Sequence, residues 1–122
     1  MAKKILFIED EPALQRAASS VLTQEGYEVL LALNGEDGLE IATAKKPDLI
    51  LLDLILPKKD GFEVLQDLKK NPETHNIPVI ILSNLEANAD VERALARGAT
   101  TYLVKANYRL EEVIEKIKKL IG

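Results

Sequence analysis

Short runs of consecutive aliphatic residues alternate along this chain with longer stretches in which apolar residues recur every three or four positions. Continuous runs fall at 5–8 (Ile5, Leu6, Phe7, Ile8), 49–52 and 79–82, and two further strand candidates, 27–31 and 101–104, are respectively interrupted by Glu28 and opened by Thr101. An uninterrupted apolar run suits a parallel strand covered on both faces, whereas a strand with one wet face alternates. After the first run, Pro12 fits the opening turn of a helix, and Leu14, Ala17, Ala18, Val21 and Leu22 follow at helical spacing until Gly26 stops it. A second, short helix over 38–44 offers Leu39, Ile41 and Ala42 and ends near Pro47. The turn signal Asp60-Gly61 leads into a third, with Phe62, Leu65 and Leu68 on one stripe, broken by Asn71-Pro72. A fourth helix spans 87–97, with Val91, Ala94 and Leu95 inward and Gly98 beyond its end. The fifth, about 110–120, places Val113, Ile114, Ile117 and Leu120 on one face. Its wet side carries Glu112–Lys116 and Glu115–Lys119 at i,i+4, worth roughly 0.2–0.5 kcal/mol each.

Strands alternating with helices in this way predict an α/β domain with a doubly wound, flavodoxin-like parallel sheet of five strands between two helical layers. No linker, repeat or low-complexity segment interrupts the alternation, and 122 residues suffice for one core, so a single domain over 1–122 is expected. Aromatic residues make up 4% of the chain against 47% hydrophobic overall, so the core should be aliphatic. The absence of cysteine removes disulfides and thiolate metal sites. The net charge is −4 with acids and bases intermixed, which argues against direct nucleic-acid binding. No run approaches the ~20 apolar residues of a membrane helix, and the apolar start is cut short by Glu9. A cytoplasmic protein is the expectation.

The polar residues that end the apolar runs carry the chemistry. The run DLILLD closes on Asp53; Glu9-Asp10 follows the first strand, Ser83 the fourth and Lys105 the fifth. In open parallel sheets ligands bind beyond the carboxyl ends of the strands, so these side chains are expected on one rim. Carboxylates gathered there repel unless a cation intervenes. Hard oxygen donors left partly open suit Mg²⁺, which keeps several waters and completes its shell with phosphate oxygens. An Asp beside such an ion can act as a nucleophile toward phosphorus, with Lys105 and the Ser83 hydroxyl meeting the phosphoryl oxygens.

Over essentially its whole length the chain resembles the receiver domain of bacterial two-component response regulators. The resemblance rests on FIEDEP with Glu9-Asp10, on LLDLILPKKDGFEVL with Asp53, on Ser83 after VIIL, and on GATTYLVK with Tyr102 and Lys105. It implies that Asp53 accepts a phosphoryl group from the phosphohistidine of a sensor histidine kinase, or from a phosphotransfer protein. It further implies that Asp10, Asp53 and the carbonyl of Ile55 hold Mg²⁺ with help from Glu9, and that Pro57 and Gly61 shape the loop after the acceptor strand. Ser83 would be the switch hydroxyl, and Tyr102 the aromatic that turns when it moves and alters the surface of helix 4, strand 5 and helix 5. Such a domain is no conventional enzyme, although it catalyses its own phosphorylation and dephosphorylation. Its other partner would be a downstream effector, with no nucleic acid or membrane contacted directly. It would be a monomer or a phosphorylation-dependent homodimer, for which Arg93 and Arg97 facing Glu111, Glu112 and Glu115 offer charge pairing. One departure stands out. The family usually has proline after the lysine, in a cis peptide; here Ala106 follows, where cis costs roughly 3–4 kcal/mol. A trans Lys105–Ala106 bond with a rearranged 106–108 loop is expected.

Other readings weigh against this one. Asp53 or Ser83 could simply cap the turns that follow them, Tyr102 could be an ordinary strand tyrosine, and His75 reads as an exposed loop residue. A flavodoxin-type flavin site needs a small-residue phosphate cradle where this chain has Glu9-Asp10-Glu11. A haloacid-dehalogenase-type phosphatase needs a second Asp at 55, which is Ile. The alternative that stays open is a receiver-like interaction module that does not switch, or an engineered scaffold on this fold.

Overall fold

The structure, a computed structural model, describes residues 2–122. Strand β1 (Lys4–Ile8) leads through α1 (Pro12–Gln24) to β2 (Glu28–Ala32), and α2 (Gly35–Lys45) leads to β3 (Leu49–Leu52). Then come α3 (Gly61–Lys70), β4 (Val79–Ser83), α4 (Asn88–Ala96), β5 (Thr101–Val104), a single 3₁₀ turn (Lys105–Asn107) and α5 (Leu110–Ile121). The strands form one sheet in the order β2-β1-β3-β4-β5, and every neighbouring pair is parallel. This is the expected flavodoxin-like three-layer α/β/α arrangement.

Alternate residues of each strand serve opposite cores, as the two-residue strand period requires. Leu6, Ile8, Ile50, Leu52, Val79 and Ile81 pack with Phe62, Leu65 and Leu68 of α3, Ala42 of α2 and Ala94 of α4. Ile5, Phe7, Leu49, Leu51, Ile80 and Leu82 pack with Ala18 and Leu22 of α1 and with Val113, Ile114 and Ile117 of α5. Both faces of the three central strands are therefore dry. The chain leaves β1 toward β2 on one side and returns to β3 on the other, so the strand order reverses between β1 and β3. A crevice opens at the carboxyl ends of those two strands.

Several element boundaries and inward faces differ from the sequence expectation. α2 starts at Gly35, because Asn34 caps it by accepting from the Asp37 N–H at 2.9 Å. Its glycines are there for close approach: a Cβ on Gly38 would lie 2.5 Å from the Ile8 side chain. β2 begins at Glu28, while Tyr27 sits buried ahead of it after Gly26, whose φ is +95°. On α1, Ala17 faces solvent and Gln15 is buried; on α4, Leu95 is 45% exposed; on α5, Leu120 is 39% exposed. α4 and α5 flank an edge strand, so less of each helix is covered. Glu112 pairs with Arg109 rather than with Lys116, its carboxylate accepting from the Arg109 N–H at 3.0 Å. Among the described residues no helix is long and apolar enough to cross a membrane.

Candidate functional site

The ends of β1 and β3 fix the centre of the site. Ile8 lies opposite Leu52 in the parallel ladder, and the Asp53 N–H extends it by donating to the Ile8 carbonyl at 3.1 Å. Glu9 and Asp53 therefore leave adjacent strands one step past the last rung. Both are buried, Glu9 at 1% exposure and Asp53 at 5%, while Asp10 points into solvent. Carboxylate oxygens of Glu9, Asp10 and Asp53 all lie within 4.8 Å of one another.

Lys105 is the counter-charge. Arriving from the end of β5, its Nζ lies 2.5 Å from Glu9 Oε1 and 2.9 Å from Asp53 Oδ2. The Lys105 ammonium is the one partner that the described residues offer Glu9 Oε1, which is otherwise buried, and it is shared with Asp53. Glu9 Oε2 accepts the Glu11 N–H at 3.2 Å. Burial is the main force on the Glu9 carboxyl and pushes its pKa up; Lys105 opposes this and Asp53 adds to it. For Lys105, burial alone would lower the pKa, but its contacts with Glu9 and Asp53 outweigh burial and hold it above the usual lysine range. Among the described residues no peptide is cis, so Lys105–Ala106 is trans as expected, and the rearranged segment opens as the 3₁₀ turn. Lys105 reaches the site without the family's proline.

The remaining expected residues surround this group. Asp53 Oδ1 accepts from the Ile55 N–H at 3.3 Å, which curls the chain around the carboxylate. The curl depends on Gly61, where any Cβ would fall 2.3 Å from the Asp53 carbonyl oxygen. Asp60 caps α3 by accepting from the Glu63 N–H at 3.1 Å. Ser83 is wholly buried at the end of β4 and does not cap α4, whose N-cap position is Ala87. Its Oγ accepts weakly from the Leu85 N–H at 3.5 Å, while the half-buried Tyr102 donates its hydroxyl to the Leu85 carbonyl at 2.7 Å. Burial raises the Tyr102 pKa, with Asp90 and Asp53 adding to it, so the phenol stays a donor. His75 is exposed and away from the cleft.

The cleft holds about 410 Å³ and is lined by the acidic group together with Glu11, Pro12, Ile55, Asn84 and Lys105. Sequence reasoning missed Asn84, whose position directly after the strand-end Ser83 was the available signal. It also gave Glu9 an auxiliary role, whereas Glu9 is the most buried carboxylate of the three. Its place beside Asp10 said nothing of burial, because adjacent side chains leaving a strand end can take opposite directions.

The chain belongs to the response regulator receiver domain family, whose model it matches over residues 5–118. The DNA-binding dual master transcriptional regulator RpaA of Synechocystis is 39% identical over 118 residues, covering 97% of this chain and 48% of that protein. Protein PilH of Pseudomonas aeruginosa is 36% identical over 102 residues, covering 84% of each chain. RpaA, PleD and AfsQ1 are longer proteins, of which this chain spans half or less. Among solved structures, the receiver domain of the sensor histidine kinase PA1611 of P. aeruginosa has a magnesium ion coordinated in its active site cleft. It superposes with a TM-score of 0.90 at 28% identity, over 100% of this chain and 99% of that one.

Proposed function

We propose that this domain is a phospho-acceptor switch in which Asp53 takes a phosphoryl group from the phosphohistidine of a sensor histidine kinase or phosphotransfer protein, or from a small phosphodonor. The observation that carries this is the convergence of three carboxylates with a single ammonium, Lys105, in an open cleft beside a buried hydroxyl. An excess of buried negative charge is costly unless a cation balances it. The donors are all hard oxygens, and three carboxylates share the single Lys105 ammonium, so the set fits Mg²⁺. Asp10, Asp53 and the Ile55 carbonyl would hold the ion, with Glu9 assisting. When bound, Mg²⁺ supplies the positive charge that lets a phosphoryl group approach an anionic rim.

An Asp53 carboxylate oxygen forms the new bond to phosphorus as the nitrogen–phosphorus bond of the donor breaks, its electron pair staying on the imidazole. Lys105 then exchanges Asp53 Oδ2 for a phosphoryl oxygen, and the Ser83 hydroxyl turns outward to donate to another. Ser83 and Tyr102 both bond to the backbone of Leu85, so moving Ser83 disturbs the carbonyl that holds the Tyr102 hydroxyl. That linkage supports a relay into the surface of α4, β5 and α5, where an effector would read the change. The phosphoryl group shifts the population by the difference in its contacts between the two states. The reading includes a single receiver domain over 1–122, self-catalysed phosphorylation and dephosphorylation, and action in the cytoplasm as a monomer or a phosphorylation-dependent homodimer.

Incubation with Mg²⁺ and a small phosphodonor, read by intact mass, should add one phosphoryl group. Asp53→Ala should abolish it completely while keeping a cooperative melt at or above the parent midpoint. Beryllofluoride should shift amide signals around Asp53, Ser83 and Tyr102. A parent protein inert to both reagents would leave the non-switching interaction module as the better account.

A further inference from the structure

We infer that Gln15, a buried residue of α1 outside the cleft, is a positioning residue that fixes the direction of the Glu9 carboxylate; the inference rests on the magnesium site proposed above. Gln15 is 5% exposed on an otherwise apolar stripe, in line with the buried Ala18 and Leu22. Its side-chain amide donates to the Ala32 carbonyl at 2.7 Å and, at 3.4 Å, to the Phe7 carbonyl. These carbonyls belong to neighbouring strands, β2 and β1, just where β1 gives way to Glu9.

The Ala32 carbonyl is shared. It also accepts the backbone N–H of Glu9 at 3.0 Å. The Gln15 backbone N–H donates to the Glu11 carbonyl at 3.1 Å, and the Glu11 N–H donates to Glu9 Oε2 at 3.2 Å. These four bonds close a ring from the Glu9 backbone through Ala32, the Gln15 side chain and the Glu11 peptide back to the Glu9 carboxylate. The ring grips Glu9 at its backbone and at one carboxylate oxygen. The other oxygen, Oε1, is left toward the cleft, where its partner is the Lys105 ammonium that Asp53 also shares. Cutting the ring at Gln15 frees the first turn of α1 from the β1–β2 rim, and with it the Glu11 amide that aims the carboxylate. Groups that orient ligands from outside the coordination sphere commonly tune metal affinity in this way.

The experiment compares the parent with Gln15→Met, which keeps the length and burial of the side chain but has no donor. Leu22→Val, at the far end of the same buried stripe, serves as a packing control. Mg²⁺ titration followed by amide shifts should give Gln15→Met a Kd higher by about threefold to tenfold, below the tenfold to hundredfold typical when a direct partner of a ligand is lost. Leu22→Val should melt earlier yet bind Mg²⁺ as the parent does. In metal-free samples, amide hydrogen exchange at Glu9 and Glu11 should quicken in Gln15→Met only. Should Gln15→Met not fold, Gln15→Asn, an amide one methylene too short to bridge both carbonyls, carries the same comparison. Unchanged Mg²⁺ affinity in the Gln15 variant, or an equal loss in Leu22→Val, overturns the inference in favour of a purely structural brace. A parent that ignores Mg²⁺ overturns the metal reading instead, and unchanged exchange at Glu9 and Glu11 then removes the ring on its own terms.

Discussion

The two edges of the sheet use the same kinds of charged residue to opposite ends. At the amino edge, Lys46 pairs with Glu73 at 3.5 Å with both side chains more than half exposed, and Lys118 meets Glu25 between the ends of α5 and α1. Each pair there is one acid to one base, and water screens it. At the carboxyl edge, Glu9, Asp10 and Asp53 face Lys105 alone, and two of the three carboxylates are buried. Exposed pairs contribute little either way. A buried, unbalanced group stores a demand for positive charge, and that demand is what a metal ion and a phosphoryl donor can exploit. The difference lies in stoichiometry and solvent access rather than in residue type.

The sharpest way to break the contrast is Lys105→Met. It leaves Glu9 and Asp53 buried without their counter-charge and should cost about 3 kcal/mol at neutral pH, measured by chemical denaturation. Adding Glu9→Gln to it should recover part of the loss, because the two sites are in contact. A loss as small as that of a surface lysine would show that the rim is wetter than its burial indicates. Next in size is Mg²⁺ itself, which by linkage should stabilise the parent by about 2.7 kcal/mol at a hundredfold excess over its Kd and leave Asp53→Ala much less affected.

The pH dependence separates the edges more finely. Burial raises the Glu9 pKa above its ordinary value of 4.5, so the folded chain holds that proton more tightly than the unfolded chain. This contribution is fully present below the unfolded pKa and is lost as pH rises through the raised folded value. Glu9→Gln lacks it. Thermal melts should therefore show the stability of Glu9→Gln relative to the parent growing from about pH 4.5 to neutrality, in the absence of Mg²⁺. A constant difference across that range would place Glu9 in contact with water. The smallest effect belongs to the amino edge: Lys46→Ala should change stability by less than about 0.5 kcal/mol, and 1 M salt should erase most of that.

Most of the architecture was legible because buried parallel strands are written as uninterrupted apolar runs. All five strands lie within a residue of the expected positions, and only β2, the edge strand with the weakest burial, is displaced at both ends. α2 was read as starting at Gly38 rather than Gly35, because apolar spacing begins only at Leu39; the missing Cβ atoms of the two glycines let the helix approach Lys59 and Ile8. Leu95 and Leu120 were assigned to the interior from periodicity, which reports the stripe but not whether another element covers it. In the site, Asp53, Ser83 and Lys105 were visible as polar residues ending apolar runs. Gln15 was visible only as an anomaly, a polar residue in register with Ala18 and Leu22.

The order of local patterns along the chain determined an α/β domain, its five strands and the side chains that leave their carboxyl ends, since strand and helix periods are properties of neighbouring residues. Strand order, and with it the crevice between β1 and β3, came from crossovers that bring distant segments together. Only that tertiary arrangement set Lys105 against Glu9 and Asp53 and decided which carboxylates lose their water. Local pattern carries no information about solvent access at a point where three strands and two loops converge, so the electrostatics of the site belong to the fold as a whole.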